Sequence, residues 1–599
     1  MRRTQLDLAV IGNSRIGALI DTEASIVWCC VPRFDGDPVF CALMDDGASE
    51  GRFDVALVDG RVVEQDYVRN TAVLRSVLAD AGGNQVEVID FAPRFTLRGR
   101  TFAPVTLVRI VRPLAGRPRV RVRFAPRCEH GARAAPLSAG SHHIRAGVPE
   151  YPLRLTTDAP LTHVLEQRPL GLDRPLTFIV GPDETLADSP LESGRSMLEQ
   201  TLVYWRRWVR NLAIPFEWQE AVIRAAITLK LNTFEDTGAI IAALTTSLPE
   251  AADSGRNWDY RYCWLRDAYF VINALNRLGA TGSMERYLHY LEGLVADAGE
   301  AGLQPVYGLA GAANLAEHVQ PALRGFRGMG PVRTGNLAYA QRQHDVYGAA
   351  ILGVAHAFFD TRLEQPGDAT LYAELERLGE RAFALHVQPD AGIWEYRGRT
   401  AVHTFSSVMC WAACDRLARI GLHLHLPARA QAWRARADAI RGAIEQRGWN
   451  PRLQAFVAEM RGEGAPDDML DASLLLMGEL DFLRADDPRL ASTVRAIEQQ
   501  LRRGHLLLRY DRPDDFGLPE TAFLVCTFWW VQALALIGER DRAREEFERL
   551  LACRNRFGLL SEDIDAASGE LWGNYPQTYS LVGIIVCAMR LSKRWDDAF

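Results

Sequence analysis

Residues 257–267 read Asn-Trp-Asp-Tyr-Arg-Tyr-Cys-Trp-Leu-Arg-Asp and lead directly into a stretch with helical periodicity. Four of these eleven residues are aromatic, and the segment ends on the pair Arg266 and Asp267. Aromatic faces beside an arginine and a carboxylate can bind a neutral, polyhydroxylated ring by stacking and by charge-assisted hydrogen bonds. The segment therefore indicates a sugar site. Its simpler interpretation is a helix entry in which the aromatics belong to the core and the aspartate is a cap.

The composition is that of a globular protein without a nucleic-acid or membrane partner. With 599 residues, the chain is too long for one ordinary core, so two folded units are expected. A formal net charge of -7, with 24% charged residues, gives no general attraction to nucleic acid or anionic lipid. The only lysines are Lys230 and Lys593, which disfavours Schiff-base and pyridoxal chemistry. No cofactor is predicted, and the oligomeric state stays open, a homo-oligomer included.

Cysteine usage and hydropathy indicate a cytoplasmic location. The ten cysteines are scattered without a Cys-x-x-Cys pair, as expected of buried, reduced thiols. No continuous apolar segment typical of a secretory signal precedes Asn13. The longest apolar stretch, residues 523–537, is interrupted by Thr527 and Gln532 and is shorter than a bilayer span.

The first part of the chain has the alternating pattern of β-strands. From about residue 6 to 182, short runs rich in β-branched residues, such as residues 105–112, are separated by turns such as Asp59-Gly60. This pattern predicts an antiparallel β-sandwich, assigned here to residues 1–185. Residues 186–214, which contain Trp205 and Trp208, have helical texture and are expected to form a linker.

The rest of the chain, residues 215–599, is predicted to be almost entirely helical. Helical periodicity predicts twelve helices, at residues 217–234, 267–278, 283–297, 344–359, 369–386, 406–420, 427–446, 467–479, 491–502, 520–537, 541–553 and 576–591. Twelve helices make six hairpins, which can close into a double ring or form an open solenoid, and periodicity does not distinguish the two. Because the polar aromatic motifs fall in the loops, a funnel lined by loops is favoured.

Two glutamates in different loops are candidates for acid and base catalysis. Glu395 lies in residues 390–397, a turn between predicted helices, and is flanked by Trp394 and Tyr396. Rings beside a carboxyl withhold water and favour its protonated form, which suits a general acid, although a surface glutamate in a turn is an equal alternative. Glu562 lies in the acidic run of residues 562–565. Two such carboxyls in one funnel make a glycosidic acid-base pair chemically sensible.

The remaining candidates are two possible metal sites and a glutamate at the start of a predicted helix. Calcium bound by Asp563 and Asp565 is a minor alternative, because the further ligands of a recognised calcium loop are missing. The histidine pairs His142-His143 and His423–His425 lack acidic or thiolate companions, so zinc is not predicted. Glu520 precedes an apolar helical run and is expected either to cap that helix or to bind sugar at the mouth of the funnel.

These segments together resemble glycoside hydrolase family 15, the glucoamylase and trehalase family, in its bacterial form. The resemblance rests on residues 257–267, on Gly-Ile-Trp-Glu at 392–395, and on Ser-Glu-Asp-Ile-Asp at 561–565 with Gly-Asn-Tyr-Pro-Gln at 573–577. Residues 19–40, which include Trp28, resemble the start of the family's β-sandwich, so the likeness spans nearly the whole chain.

The resemblance implies an N-terminal antiparallel β-sandwich followed by an (α/α)6 barrel, and inverting attack on a non-reducing α-linked glucose. It makes Glu395 the general acid and Glu562 the general base, and inversion implies that their carboxyls lie roughly 6.5–9.5 Å apart. In the innermost subsite it places a further set of substrate-binding residues: Tyr260, Trp264, Arg266 and Asp267. Trp394 and Tyr575, which lie in the matching segments, are expected to add substrate contacts.

The predicted function is therefore an exo-acting, inverting α-glucosidase, glucoamylase-like or trehalase-like, with a small α-glucoside or oligosaccharide as substrate. The compact form and the lack of an evident signal favour small glucosides such as trehalose over starch. The alternative is a catalytically silent carbohydrate-binding or regulatory protein on the same scaffold. Both glutamates are present, and a pure binder has no need of an acid and a base on opposite sides of a bond.

Overall fold

The computed structural model describes residues 5–45, 50–299, 302–460 and 467–597. Its N-terminal part consists of antiparallel strands. These are β1 (Ala9–Gly12), β2 (Gly17–Ile20), β3 (Ile26–Val31), β4 (Asp37–Phe40), β5 (Arg52–Leu57), β6 (Gly60–Tyr67), β7 (Leu74–Asp80), β8 (Gln85–Phe91), β9 (Phe95–Leu97), β10 (Arg100–Phe102), β11 (Leu107–Ala115), β12 (Arg119–Ala125), β13 (Arg127–Cys128), β14 (Arg133–Ala134), β15 (Leu137–Ala139), β16 (His143–Ala146), β17 (Leu153–Thr157), β18 (Leu170–Gly171) and β19 (Leu176–Pro182).

Two large antiparallel sheets form a β-sandwich. One has the strand order β1-β2-β3-β5-β12-β18 with β4 beside β3, and the other has the order β15-β16-β17-β19-β11-β8-β7-β6. Their inner faces meet in an aromatic core, where the rings of Phe53 and Phe178 lie 6.2 Å apart. The buried Arg109 joins the two sheets, because its guanidinium pairs with Asp90 and also donates to the Phe53 carbonyl. The predicted sandwich is thus confirmed.

Helices make up most of the remaining chain. They are α1 (Leu161–Leu165), α2 (Pro190–Arg210), α3 (Gln219–Leu231), α4 (Leu265–Arg277), α5 (Thr281–Ala298), α6 (Asp345–Phe359), α7 (Ala369–Leu385), α8 (Thr404–His423), α9 (Pro427–Gly448), α10 (Leu476–Glu479), α11 (Pro488–Leu501), α12 (Leu524–Leu536), α13 (Arg540–Ala552) and α14 (Thr578–Leu591). The helix α2 packs on the outer face of the second sheet through Met197, Leu198 and Leu202. The linker assignment of residues 186–214, like the domain limits at 185 and 215, stays a prediction.

The helices from α3 onward close into an (α/α)6 barrel. The inner ring runs α4-α6-α8-α10-α12-α14, where the 3₁₀ turn at Ala472–Leu475 before α10 makes the contact with α8, and α14 returns to contact α4, so the ring closes. The outer helices α3, α5, α7, α9, α11 and α13 pack against this ring. The inner helices are apolar on nearly every face, as in α12, where eleven of the thirteen residues are buried. A helix that is hydrophobic all round must be enclosed by other elements, which explains why these six form the inside.

One segment that is predicted to be a helix is mostly not α-helical in the structure. Residues 467–479 are predicted to be helical, but this segment holds a 3₁₀ turn at Ala472–Leu475 and a single α-helical turn, α10. Asp471 caps the turn by accepting a hydrogen bond from the Ser473 amide at 3.0 Å, so the residues before it lie outside the helix. Aspartate favours such caps over helix interiors.

The sandwich braces the barrel next to the motif at 257–267. Trp28 Nε1 donates to the Leu244 carbonyl at 2.9 Å. Arg261 is held in a buried pair with Asp259 and donates to the Gly36 carbonyl of the sandwich at 3.0 Å. Among the residues described, no helix is both long and apolar enough to cross a membrane.

Candidate active site

A cavity of about 920 Å³, counted out to its open mouth, lies at the ends of the inner helices. The walls come from the segments that precede the inner helices α4, α6, α8, α12 and α14, so the N-terminal ends of these helices face one region. Seven of the nine predicted site residues line it, namely Tyr260, Trp264, Arg266, Asp267, Trp394, Glu395 and Glu562.

Glu395 presents its carboxyl from a tight turn between α7 and α8. Its backbone adopts the left-handed conformation, with φ of 58°, which is uncommon for a residue with a side chain and often marks a functional position. Gln341 Nε2 steadies this turn by donating to the Glu395 carbonyl at 3.1 Å. The side chain of Glu395 is 24% exposed and opens into the cavity.

Three donors converge on one oxygen of this carboxyl. Glu395 Oε1 accepts from Trp264 Nε1 at 2.7 Å, from Gln343 Nε2 at 3.1 Å and from Arg266 Nη2 at 3.4 Å. Oε2 accepts no hydrogen bond from any residue that the structure describes, so it is the oxygen available to a substrate. Hydrogen bonds therefore dominate the surroundings of Glu395, whereas the sequence had suggested flanking rings.

Arg266 and Asp267 occupy the first turn of α4 at the base of the cavity. Arg266 Nη1 donates to Gln343 Oε1 at 2.8 Å and pairs with Asp345 Oδ2 at 3.0 Å. Burial raises the pKa of Asp267 to about 7, and the nearby Arg266 opposes the rise. Asp267 Oδ1 is buried without a hydrogen-bond partner among the described residues. An unpaired carboxylate oxygen on a cavity wall is suited to accept hydrogen bonds from sugar hydroxyls.

Glu562 is fixed on the other side of the two aromatic residues Tyr260 and Trp264. Tyr260 donates its hydroxyl hydrogen to Glu562 Oε1 at 2.6 Å, and the Asn574 amide donates to Oε2 at 3.4 Å. Gly573 makes this approach possible, because a Cβ there would lie 2.7 Å from the Glu562 Cβ and its φ is 74°. The Tyr260 and Trp264 rings contact each other at 5.4 Å between centroids, so they connect the two glutamates across the cavity.

The surroundings of Glu562 carry an excess of negative charge. Glu562 is 1% exposed, and burial raises its pKa well above the ordinary value, with further increases from Glu250 and Asp563. Burial also raises the pKa of Asp563 to about 7. The guanidinium of Arg509, paired with Glu250, partly offsets both effects. A carboxyl with a raised pKa binds its proton more tightly, which suits proton transfer near neutral pH.

Two of the predicted site residues, Tyr575 and Glu520, are not among the residues that line this cavity. Tyr575 is fully buried against the sandwich, where its hydroxyl donates to the Leu8 carbonyl and accepts from Asn555 Nδ2 at 2.8 Å. Glu520 is exposed and does not line the cavity. It does not cap α12 either, because that helix begins only at Leu524.

Each aspartate of the acidic run after Glu562 accepts a hydrogen bond. Asp563 accepts a hydrogen bond from Thr521 Oγ1 at 3.0 Å, and Asp565 accepts one from the Ala567 amide at 2.7 Å. Within the described ranges, no three His, Cys, Asp or Glu side chains are grouped as metal ligands require.

Several residues that line the cavity or hold its lining side chains were not predicted from the sequence. Gln341 and Gln343 orient Glu395, Asp345 holds Arg266, and Glu250 and Arg509 adjoin Glu562. A usable signal existed for three of them, because residues 341–345 form a run of polar residues directly before an apolar helix. Glu250 and Arg509 have no comparable local pattern.

Comparisons with known proteins agree with this geometry. Residues 218–589 match the family described as glycosyl hydrolases family 15, and residues 4–165 match a trehalase-like N-terminal domain. The trehalase of Mycolicibacterium smegmatis is 32% identical, over 99% of this chain and 92% of that protein. The trehalase of Thermoplasma volcanium is 29% identical, over 97% of this chain and 93% of that protein.

Solved structures extend the likeness to the fold. A bacterial glucoamylase complexed with acarbose superimposes with a TM-score of 0.70 at 14% sequence identity, covering 98% of this chain and 94% of that one. At this identity the match concerns the fold alone, and it spans both the sandwich and the barrel.

Proposed function

Because the chain belongs to glycosyl hydrolases family 15, and is thus a glycoside hydrolase, we propose that it cleaves trehalose with inversion at the attacked carbon. The observation that carries this proposal is the pair Glu395 and Glu562, presented to one cavity from different loops and joined through Tyr260 and Trp264. Trehalose is preferred as the substrate because the relatives at 32% and 29% identity are trehalases over nearly the whole chain.

In the proposed reaction, water is added across the bond between C1 and the glycosidic oxygen. Glu395 delivers a proton from Oε2 to the departing oxygen, since Oε1 is already occupied by three donors. Glu562 takes a proton from the water, whose oxygen attacks C1 from the opposite face. The Tyr260 hydroxyl holds Glu562 in position by a hydrogen bond. The same bond stabilises the ionised form of Glu562 before this carboxylate takes the proton from water.

The innermost glucose binds against the base of the cavity in this proposal. Arg266, held by Gln343 and Asp345, presents a rigid guanidinium, and Asp267 offers its unpaired oxygen to hydroxyl groups. The ring of Trp264 supplies an apolar face for stacking. These contacts are to the glucose that is attacked, so they serve every α-glucoside that the enzyme accepts.

The stereochemistry of the products tests the proposal. Trehalose, maltose, isomaltose and maltotriose are incubated with the enzyme at one concentration, and the anomers are followed by NMR before they equilibrate. Inversion of trehalose releases equal amounts of α- and β-glucose, because only the attacked carbon changes configuration. Release of α-glucose alone contradicts inversion. If maltose or maltotriose is the best substrate, the enzyme has glucoamylase-like activity and trehalose is not its substrate of choice.

A further inference from the structure

The outer wall of the cavity is built by a tight turn at residues 514–517. The Asp514 amide donates to the Gly517 carbonyl at 3.1 Å, and the Gly517 amide donates back to the Asp514 carbonyl at 3.3 Å. The turn places Asp515 and Phe516 at its tip, and both line the same cavity as the two glutamates. Gly517 has a φ of 95°, a backbone conformation that residues with a side chain rarely adopt, so the turn requires glycine at this position.

Arg256 fastens one side of this turn. Its Nη1 donates to Asp514 Oδ2 at 2.7 Å, its Nη2 bonds Asp514 Oδ1, and Nη2 also donates to the Gly517 carbonyl at 2.8 Å. The two side chains are 9% and 6% exposed, which keeps solvent from weakening the pair. Tyr510 adds a hydrogen bond to Asp514 Oδ2 at 2.5 Å. The turn is thus anchored by a bidentate pair with the geometry that arginine and carboxylate prefer.

Arg397 fastens the other side and connects the turn to Glu395. The Arg397 amide donates to Asp515 Oδ2 at 2.6 Å. Its guanidinium lies 4.0 Å above the Trp258 ring and 5.7 Å from the Phe516 ring, and these two rings meet edge to face at 5.0 Å. Cation-π and aromatic contacts of this kind hold side chains in a defined arrangement. Arg397 is two residues from Glu395, so the wall stands beside the proposed acid.

Arg397 and the 514–517 turn line the same cavity as Glu395. In the proposed reaction Glu395 protonates the departing oxygen, so the departing sugar lies next to Arg397 and the 514–517 turn. We propose that the latch formed by Arg256–Asp514 and by Arg397 with Asp515 and Phe516 closes the leaving-group side after one sugar unit, which restricts the enzyme to disaccharides. This inference rests on the proposed glucosidase function and names the residues that set its substrate length.

The latch can be loosened without touching the catalytic groups. Gly398 is exposed, and a Cβ at this position would lie 2.2 Å from Asp515 Oδ1. Gly398→Ala therefore displaces Asp515 from the Arg397 amide. Phe516 is 42% exposed, so Phe516→Ala removes the tip of the wall with little cost to the core. Gly442→Ala, where a Cβ meets open space, and Phe359→Ala, at a ring that is 46% exposed and outside the cavity, are matched controls.

The experiment compares kcat/KM for trehalose, maltose and maltopentaose in the wild type and the four variants. We expect the wild type to cleave a disaccharide at least about 100-fold better than maltopentaose, within the range that pocket contacts can discriminate. Gly398→Ala and Phe516→Ala are expected to raise the ratio of maltopentaose to maltose by about tenfold, while the controls leave it unchanged. Circular dichroism and Tm establish that each variant is folded.

The outcomes separate this inference from the proposed function. A wild type that cleaves maltopentaose as well as the disaccharides overturns the latch but keeps the glucosidase. An unchanged ratio in both folded latch variants also overturns it. A wild type that releases glucose from no α-glucoside overturns the proposed function and the inference together.

Discussion

Trp264 Nε1 lies 2.7 Å from Glu395 Oε1 and donates a hydrogen bond to it. The contact joins Trp264, the residue before α4, to Glu395 in the turn between α7 and α8. These two residues are more than a hundred positions apart in the sequence. With Gln343 and Arg266 also on Oε1, this oxygen is fully engaged, and the proton of the acid form belongs on Oε2. Glu395 is thereby oriented before a substrate arrives, which is how positioned acids gain their effect.

Glu395→Gln is expected to separate substrates by their leaving group. A carboxamide cannot protonate a departing sugar oxygen, so kcat/KM for trehalose should fall by about 10²- to 10⁴-fold. Fluoride departs with little acid assistance, so the Glu395→Gln variant should retain a far larger share of its wild-type activity on α-glucosyl fluoride than on trehalose. Steady-state kinetics on both substrates provide the measurement. Glu520→Gln, at an exposed position outside the cavity, is the control and should leave both activities unchanged.

The role of Glu395 has a clear contrary result. Equal loss of activity on trehalose and on the fluoride in Glu395→Gln removes Glu395 from the role of general acid.

Glu562→Gln should abolish turnover on every substrate, the fluoride included. The amide fills the same volume and can still accept the Tyr260 hydrogen bond, but it cannot take a proton from water. A loss of about 10²-fold or more is expected from removal of a positioned base. Kinetics on trehalose and the fluoride, with Tm as the check on folding, measure the effect. Activity within a few-fold of the wild type excludes Glu562 from the mechanism.

The sequence predicts most of the helices well because the inner helices other than the single turn α10 are long and largely buried. Closure of the ring was not predictable, since it depends on the contact between α14 and α4, which lie some 300 residues apart. The start of α12 was predicted four residues early. Residues Ala522–Phe523 instead pair with Asp563–Ile564, which brings the helix start beside Glu562. A pairing between distant segments overrides local helical preference there.

The site was predictable where its residues share a local motif, and not elsewhere. Arg266 and Asp267 lie on one helical turn, so their joint position follows from their spacing. Tyr575 also lies in a recognised segment, yet its side chain points to the sandwich, because the Leu8 carbonyl and Asn555 provide its partners. Contacts between the two halves of the chain leave no signal in local periodicity.

Arg266→Lys should reduce activity on every α-glucoside although the charge is retained. A lysine is a point donor and cannot reproduce the planar fork, in which Nη1 bonds Gln343 and Asp345 while Nη2 bonds Glu395. Loss of one hydrogen bond to a charged group is worth about 1.5–3 kcal/mol, so kcat/KM should fall by about 10- to 100-fold. Kinetics on trehalose, maltose and isomaltose measure the effect, with Arg484→Lys at an exposed pair as the control. A loss confined to one substrate places Arg266 in an outer subsite.

Glu250→Gln should move the acidic limb of the pH profile to lower pH. Glu562 must be ionised to act as a base, and its pKa is raised by burial and then by the charge of Glu250. Activity is lost as the pH falls through this raised pKa, so the wild-type limb lies above the pH range of an ordinary glutamate. Removal of the Glu250 charge lowers the Glu562 pKa, and it also leaves the Arg509 guanidinium without its partner, which acts in the same direction.

The measurement for this variant is kcat/KM for trehalose against pH. If the acidic limb shifts by roughly one pH unit, the interaction of residue 250 with the ionised Glu562 has changed by about 1.4 kcal/mol. Glu250 raises the pKa of Asp563 as well as that of Glu562, so its removal acts on both carboxyls in the same sense. Glu376→Gln, on the outer helix α7 and paired with Arg429, is the matched control and should leave the limb in place. An acidic limb that stays fixed or moves upward in Glu250→Gln means that Glu562 does not limit activity at low pH.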